Sequence, residues 1–496
     1  MPEVEPTATA IMLTALGLMM AFSALFSRLT GRMGLPLTLA FLGVGMVAGP
    51  EGLGGIDFRE HGFSFRTAIT ALVLILFDGG LNTHVAAARP VLAPAAVLAT
   101  AGVLGTAGVV GLAAHALGFA WPESLLLGAV VSSTDAAAVF SVLRGSGLHL
   151  RRRVGATLEV ESGLNDPMAV ILTMTLSENL LDPVRVGWWF PLNVVLQLLV
   201  GLGCGLGFGA VGRWMLARIP LAALGLYPVL TISLGMLSFG VTTLAQGSGF
   251  LAVYLCGMVV GNSRLPHRAG LLRVHDAVAW LSQVTMFLLM GLLVLPSRVV
   301  AVAAPGLGIA LVLALVARPV VVALCLAPFR YRWREITYVG WVGLRGAVPI
   351  VLAIYPVLLD APGALRILDV VFFVVVVNAL IPGATVQWAT RWLGQISDEP
   401  PPPEATLDII SMRPLNGQVL VFHIGAASAV ANVPLSEVPF SDGAAVMLVV
   451  RGNELIPPRG TTVLTPGDHV YVVCREADEE LVQLMFGQRI KEAEGS

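Results

Sequence analysis

Leu39–Pro50 reads LAFLGVGMVAGP, and Leu251–Asn262 reads LAVYLCGMVVGN. Six of the twelve positions are identical at a constant offset of 212 residues (251 − 39). Held at that offset, Gly79 falls on Gly291 and Thr134 on Gly346. A register kept across three apolar segments marks an internal repeat rather than a chance match in Gly-rich sequence. The second copy lies seven apolar segments further along the chain than the first; the number is odd, so the two copies have opposite topology. Inverted repeats point to a secondary transporter with its site at the midplane, on helices broken there.

Composition supports that reading. Hydrophobic residues make up 56% of the 496 and charged residues only 12%, with a mean hydropathy of +0.85. Soluble domains carry about 25% charged residues, so a soluble enzyme, a nucleic-acid binder and a disordered scaffold are all excluded. Apolar runs of membrane-spanning length recur from 8–27 to 367–390, thirteen in all, among them 122–143, 156–180, 278–297 and 335–356. The acidic start, with Glu3 and Glu5, predicts that the first run stays as a helix rather than being cleaved.

The net charge of −2 hides a segregation. With the C-terminus inside, 16 Arg fall in cytoplasmic loops, including Arg144, Arg151, Arg152, Arg153, Arg264, Arg268 and Arg273, against 5 outside, among them Arg185. That asymmetry supports an odd number of spans with the N-terminus outside. The four cysteines have neither metal nor disulfide-framework spacing.

After residue 392 the composition changes. A Pro-rich linker is expected over 393–406, around SDEPPPPE at 397–404. Short strands near 419–424, 445–451, 453–458 and 469–474, with a closing helix at 476–486, predict an α+β module over 407–488 and a tail at 489–496. Gly452-Asn453 and Pro466-Gly467-Asp468 supply its turns.

Ionisable groups inside a membrane are costly and therefore informative. Glu161-Ser162-Gly163-Leu164-Asn165-Asp166-Pro167 carries two of them. Glu161 and Asp166 lie about 140° apart round a helix, so they need not share a partner. A carboxylate in a desolvated site can hold a proton or a small cation but not both, which is antiport in minimal form; the plain alternative for Asp166 is a helix cap. Ser132-Ser133-Thr134-Asp135 interrupts an apolar run with groups that compete for backbone bonds, so unwinding is expected there. Gly343-Leu344-Arg345-Gly346-Ala347-Val348-Pro349 should break the equivalent helix of the other repeat. Arg318 stands alone in an apolar run and needs a partner, Glu161 first and Asp166 second, as a structural clamp or as part of the transport chemistry. Asp78 lies either in an ion funnel or at a helix end facing water. No GxxxxGK[ST] or strand-plus-GxGxxG fingerprint is present and the eight His lack ligand spacing, so neither ATP-driven pumping, nor a cofactor, nor a resident metal is expected.

PLTLAFLGVGMVAGP, SSTDAAAVF, ESGLNDP, the ARP at Arg318 and GLRGAVP together resemble the NhaP-type monovalent cation/proton antiporters of the cation/proton antiporter superfamily, over about residues 8–392. The resemblance implies an α-helical polytopic membrane protein, with inverted repeats and crossed broken helices, that transports by alternating access as a homodimer in membrane lipid. It implies that Asp166 carries both cation and proton, with Asn165, Ser162 and Thr134 coordinating and Asp135 lining the crossing. Glu161 looks like the partner of Arg318, while Arg345 and Gly346 belong to the second broken helix. The Asn165-Asp166 pair resembles the electroneutral branch, one cation for one proton. The tail looks like the C-terminal half of RCK (TrkA-C) modules, which regulate potassium transporters; its likeness implies a small regulatory ligand and favours K⁺ over Na⁺. The expectation is therefore a non-enzymatic K⁺/H⁺ antiporter of a bacterial inner membrane, with a cytoplasmic tail, serving cation and pH homeostasis and binding no nucleic acid. Na⁺(Li⁺)/H⁺ exchange is the alternative, and a K⁺ channel with a regulatory tail the remote one.

Overall fold

The computed structural model describes residues 5–33, 36–181, 190–263, 268–397, 417–425, 428–452 and 454–486. Arg185, Arg264, the linker from Asp398 onward, Asn453 of the Gly-Asn turn and the 489–496 tail lie outside the described residues. The chain divides after Ser397 into two compact units.

The first unit is helical. Its helices are α1 (Glu5–Met33), α2 (Leu37–Ala48), α3 (His61–Asn82), α4 (Val85–Ala116), α5 (Trp121–Val130), α6 (Ala136–Gly145), α7 (Arg152–Leu181) and α8 (Phe190–Arg218). They continue as α9 (Leu226–Leu244), α10 (Gly249–Gly261), α11 (Arg268–Leu293), α12 (Ala303–Phe329), α13 (Trp333–Trp341), α14 (Val348–Leu358) and α15 (Ala364–Trp392). Helices α5–α6 and α13–α14 each occupy one predicted span, so these described helices fill the thirteen apolar runs. Eight described helices are long and apolar enough to cross a membrane by length and composition alone. Helix α7 is not one of them, because its acidic and hydroxyl-bearing residues dilute its hydropathy.

The largest boundary difference from the sequence reading is at the start of α11. The run at 278–297 belongs to a helix that begins at Arg268, so Arg268 and Arg273 lie on α11 rather than in a loop. The polar turn continues the helix because His275 is buried and has an interior partner, the Thr231 hydroxyl 2.7 Å from its Nε2.

Packing separates the helices into two bundles. In the first, α10 packs on α3 and α8, and α11 on α2 and α3, with α9 beside α10. In the second, α5 packs on α4 and α7, α14 on α15, and α12 on α13 and α15. The repeat is visible in the first bundle's closest contacts. A Cβ on Gly45 of α2 would lie 2.9 Å from the Cα of Gly291 of α11, and one on Gly257 of α10 would lie 3.3 Å from the Cα of Gly80 of α3. Glycines let these backbones touch, as in other membrane helix pairs. Gly45 and Gly257 are 212 apart and Gly80 and Gly291 are 211 apart, so the same contact is built twice.

The second unit has β1 (Gln418–His423), β2 (Ala444–Arg451), β3 (Glu454–Ile456), β4 (His469–Cys474) and α16 (Glu479–Phe486). The strands form one antiparallel sheet in the order β1-β4-β2-β3. Val482 and Phe486 bury α16 in the core with Val470 and Val472. The closing helix begins at Glu479 because Glu476–Asp478 form a tighter 3₁₀ turn.

Asp468 anchors the turn into β4. Burial pushes its carboxyl up, but the paired Arg451 bonds, each 2.8 Å, and the Thr465 N–H at 2.7 Å outweigh this and hold it below the ordinary value. A group depressed in the folded state stabilises it fully above its unfolded value, and that contribution is lost as pH falls through the folded one. Asp468→Asn should therefore cost the tail about 2 kcal/mol near neutral pH, and the gap from wild type should close on acidification. Hydrogen exchange of the β2 and β4 amides in the full chain, corrected for intrinsic rates, measures both; a gap that persists in acid excludes this origin.

Candidate cation site

Two broken helices meet in the second bundle. Helix α5 stops at Val130 and α6 starts at Ala136; α13 stops at Trp341 and α14 starts at Val348. The residues between are not helical and bond across the gap, with the Asp135 N–H donating to the Leu344 carbonyl at 2.7 Å. This crossing places four helix ends close together, two positive and two negative in the sense of the helix dipole.

Each sign meets its opposite. Asp135 caps α6, its Oδ1 accepting from the Ala138 N–H at 3.1 Å. Its Oδ2 lies against Gly346, at the start of α14, where any side chain would overlap it. Buried Arg345 serves the other two ends: Nε donates to the Val131 carbonyl at 3.0 Å, and Nη1 donates to the Gly343 carbonyl. Its own N–H donates to Asn378 Oδ1 at 2.9 Å. Asp135 and Arg345 thus hold the unwound segments without pairing with each other.

Helix α7 supplies the remaining groups. Ser162, Asn165 and Asp166 fall at i, i+3 and i+4, one face of the helix. Ser162 Oγ donates to the Thr134 carbonyl at 3.0 Å and accepts from the Ala136 N–H at 3.2 Å. Asn165 Nδ2 donates to Thr134 Oγ1 at 2.5 Å, which leaves its buried Oδ1 as an acceptor with no donor among the described residues. Asp166 is buried and accepts from the Ser133 hydroxyl at 2.5 Å. The helix runs unbroken through Pro167, whose missing N–H leaves the Gly163 carbonyl without its helical donor.

Glu161 turns away from this face. Arg318 Nη2 lies 2.6 Å from Glu161 Oε1 and 2.9 Å from Oε2, both side chains being fully enclosed. The angular separation of Glu161 and Asp166 is what lets one carboxylate be clamped and the other left free of any cationic partner among the described residues.

A cavity of about 880 Å³ reaches the crossing. Ser133, Thr134, Asp135, Ser162, Asp166 and Gly346 line its inner end. Asp78 is on its wall, with Asn82 Nδ2 donating to its Oδ1 at 3.1 Å. Arg144, His149 and Arg152 stand on the side of the α6–α7 loop. That loop is tied to the end of the first unit, Arg151 N–H donating to the Gln395 carbonyl at 2.9 Å and Ser397 N–H to the His149 carbonyl at 2.8 Å.

Sequence reasoning overlooked Ser133 as a contact of Asp166. Its hydroxyl was visible in SSTD, but only the unwinding of 131–135 turns it toward α7. Glu159 was overlooked as well.

Comparison with known proteins agrees with this architecture. Residues 18–392 match the family model described as sodium/hydrogen exchanger, transmembrane, and residues 419–487 match the TrkA-C domain. The chain is 41% identical over 474 residues to the K(+)/H(+) antiporter NhaP of Alkalimonas amylolytica, covering 95% of this chain and 82% of that one. It is 40% identical over 476 residues to the K(+)/H(+) antiporter NhaP2 of Shewanella sp. (strain ANA-3), with the same coverage. The structure of the sodium proton antiporter MjNhaP1 from Methanocaldococcus jannaschii at pH 8 superposes with a TM-score of 0.67 and 22% identity, covering 77% of this chain and 99% of that one, and so shares the fold. With the family model matching residues 18–392, well over half of the chain, the chain belongs to the sodium/hydrogen exchanger family of membrane transporters and carries a TrkA-C domain.

Proposed function

We propose that this protein exchanges K⁺ for H⁺ across a membrane, one for one, by alternating access, with Asp166 as the shared carrier. The carrying observation is a buried carboxylate at the inner end of a cavity, free of cationic partners among the described residues and preceded in the chain by Asn165, whose buried Oδ1 has no donor among them. Such a group has oxygens for a dehydrated cation and nothing but a proton to replace it. Neutral Asn165 directly before Asp166, in place of a second carboxylate there, supports electroneutral exchange. The choice of K⁺ is supported by the two K(+)/H(+) antiporters at about 40% identity.

Ser162, Thr134 and Asn165 are the coordinating groups in this reading, Asp135 and Arg345 neutralise the crossing around Gly346, Glu161 and Arg318 form a clamp, and Asp78 lies on the approach. We place the protein as a multi-pass homodimer in a bacterial inner membrane, divided as 1–392, 393–406, 407–488 and 489–496, with the tail module cytoplasmic and open to a small ligand. The 16:5 Arg asymmetry supports that orientation. The bonds from 395–397 to the Arg-rich α6–α7 loop put the exit of the chain on the same side as the cavity mouth.

Proteoliposomes holding a pH gradient test the function. Dissipation by added K⁺ with no net current is expected, with a weaker response to Na⁺ and Li⁺. A conductive current overturns exchange, and a stronger Na⁺ response overturns the choice of ion.

Ser133 gives a graded test of the carrier. Its hydroxyl bonds the charged form of Asp166, so removing it favours the protonated form. Ser133→Ala should raise the KM for K⁺ about threefold to tenfold, the worth of one hydrogen bond to a charge, and move the pH profile alkaline while Ser133→Thr largely restores it. An unchanged profile excludes the contact.

A further inference from the structure

Glu159 is not used by the site described above. It precedes Asp166 by seven residues on α7, two helical turns, which puts it on the same face about 10 Å along the axis. It lines the same cavity, nearer the mouth, and has no ion pair among the described residues. Glu161, between the two in sequence, faces Arg318 instead.

The oxygens around Glu159 come from the opposite bundle. Thr83, the residue that ends α3, lies with its hydroxyl 2.7 Å from Glu159 Oε1, 3.2 Å from the Tyr254 hydroxyl of α10 and 2.8 Å from the Gly79 carbonyl. A hydroxyl has one proton, so when Thr83 donates to Glu159 its lone pair is free to accept from Tyr254. Asn262, just after α10, donates to the Thr83 carbonyl at 2.8 Å and fixes it from below. Tyr254 also presses on α7 between the two carboxylates, since a Cβ on Gly163 would come within 2.6 Å of its ring carbons. The contact thus joins the bundles at the turn that leads from Glu159 to Asp166.

We infer that Glu159 is a second carboxylate on the cation's route, taking the monovalent cation from the cavity before Asp166 does, with Thr83 and Tyr254 positioning it from the other bundle. This rests on the reading of Asp166 as carrier. A carboxylate and two hydroxyls replace part of a cation's hydration shell. They lack an amide oxygen without a donor, such as that of Asn165 next to Asp166 in the chain, so the stop captures the ion and releases it inward. Conduction along such a route requires binding strong enough to enter and weak enough to leave. Asp78 and Asp276 on the cavity wall add to the attraction, and Arg144, Arg152 and Arg273 oppose it, so the field alone does not single out this carboxylate; its position on the face of Asp166 does.

Glu159→Gln keeps an acceptor for Thr83 and removes the charge. In proteoliposomes of the full chain it should raise the KM for K⁺ about tenfold at an unchanged maximal rate, the effect of one lost charge contact. Thr83→Val should act in the same direction, and the double variant should be no worse than Glu159→Gln alone. Glu159→Asp, which keeps the charge if the amide disturbs folding, should stay within a few-fold of wild type. A KM unmoved by Glu159→Gln, or a fall in maximal rate at unchanged KM, overturns the inference and leaves Glu159 a structural tie. Calorimetric K⁺ titration of Asp166→Asn separates this from failure of the carrier: a weak residual site is expected there, lost in Asp166→Asn/Glu159→Gln. Equal residual binding in both variants also overturns it.

Discussion

Asp166→Asn yields a folded protein whose K⁺-dependent proton flux falls to background. The substitution keeps volume and an acceptor for the Ser133 hydroxyl, so the crossing stays assembled. What it removes is the group that changes charge. An amide cannot take up a proton at any relevant pH, and it meets a dehydrated cation with a dipole rather than a full charge, so both halves of the exchange stop together. The packing around Asp166 is otherwise unchanged, and thermal unfolding in detergent should stay within a few degrees of wild type. Sustained K⁺-driven H⁺ movement in this variant, read with a pH dye, removes Asp166 from the carrier role.

Arg318→Ala does the opposite: it harms the fold first. Glu161 and Arg318 are enclosed, with Arg318 Nη2 2.6 Å from Glu161 Oε1 and donating to Oε2 at 2.9 Å. Deleting one member of a buried pair leaves the other charge uncompensated, at a cost of about 3–5 kcal/mol, beside the apolar face of α12. Thermal unfolding should drop by many degrees and yield should fall. Neutralising the orphan as well, in Glu161→Gln/Arg318→Met, should recover most of the loss, because the desolvation penalty goes with the charges. A stable but inactive Arg318→Ala protein points instead to a direct part in transport. The two predictions are separated by the same 140° turn of helix that separates the two carboxylates.

Much of the site was legible in one dimension. Unsupported charge in apolar sequence singled out Glu161, Asp166, Arg318 and Asp78, because a membrane tolerates such groups only for a reason. Gly and Pro in GLRGAVP and the hydroxyls of SSTD marked the two breaks, since neither stretch can complete a helical ladder. Partner choice was less accessible. That Arg345 would serve the ends of α5 and α13, rather than a carboxylate, follows from where two unwound segments cross in space. Ser133 and Glu159 escaped for the same reason: each acquires its meaning from a neighbour 33 residues away, Asp166, or 76 residues away, Thr83.

Taken alone, the amino-acid sequence determined the spans, their inverted repetition, the tail module and the short roll of ionisable groups that a bilayer makes expensive. Those depend on local hydropathy, backbone chemistry and residue counts, all of which a linear chain displays. Only the tertiary structure decided which carboxylate is clamped and which is left open to the cavity. That outcome depends on which face of α7 meets α12 and which meets the crossing, and packing between helices distant in sequence sets it.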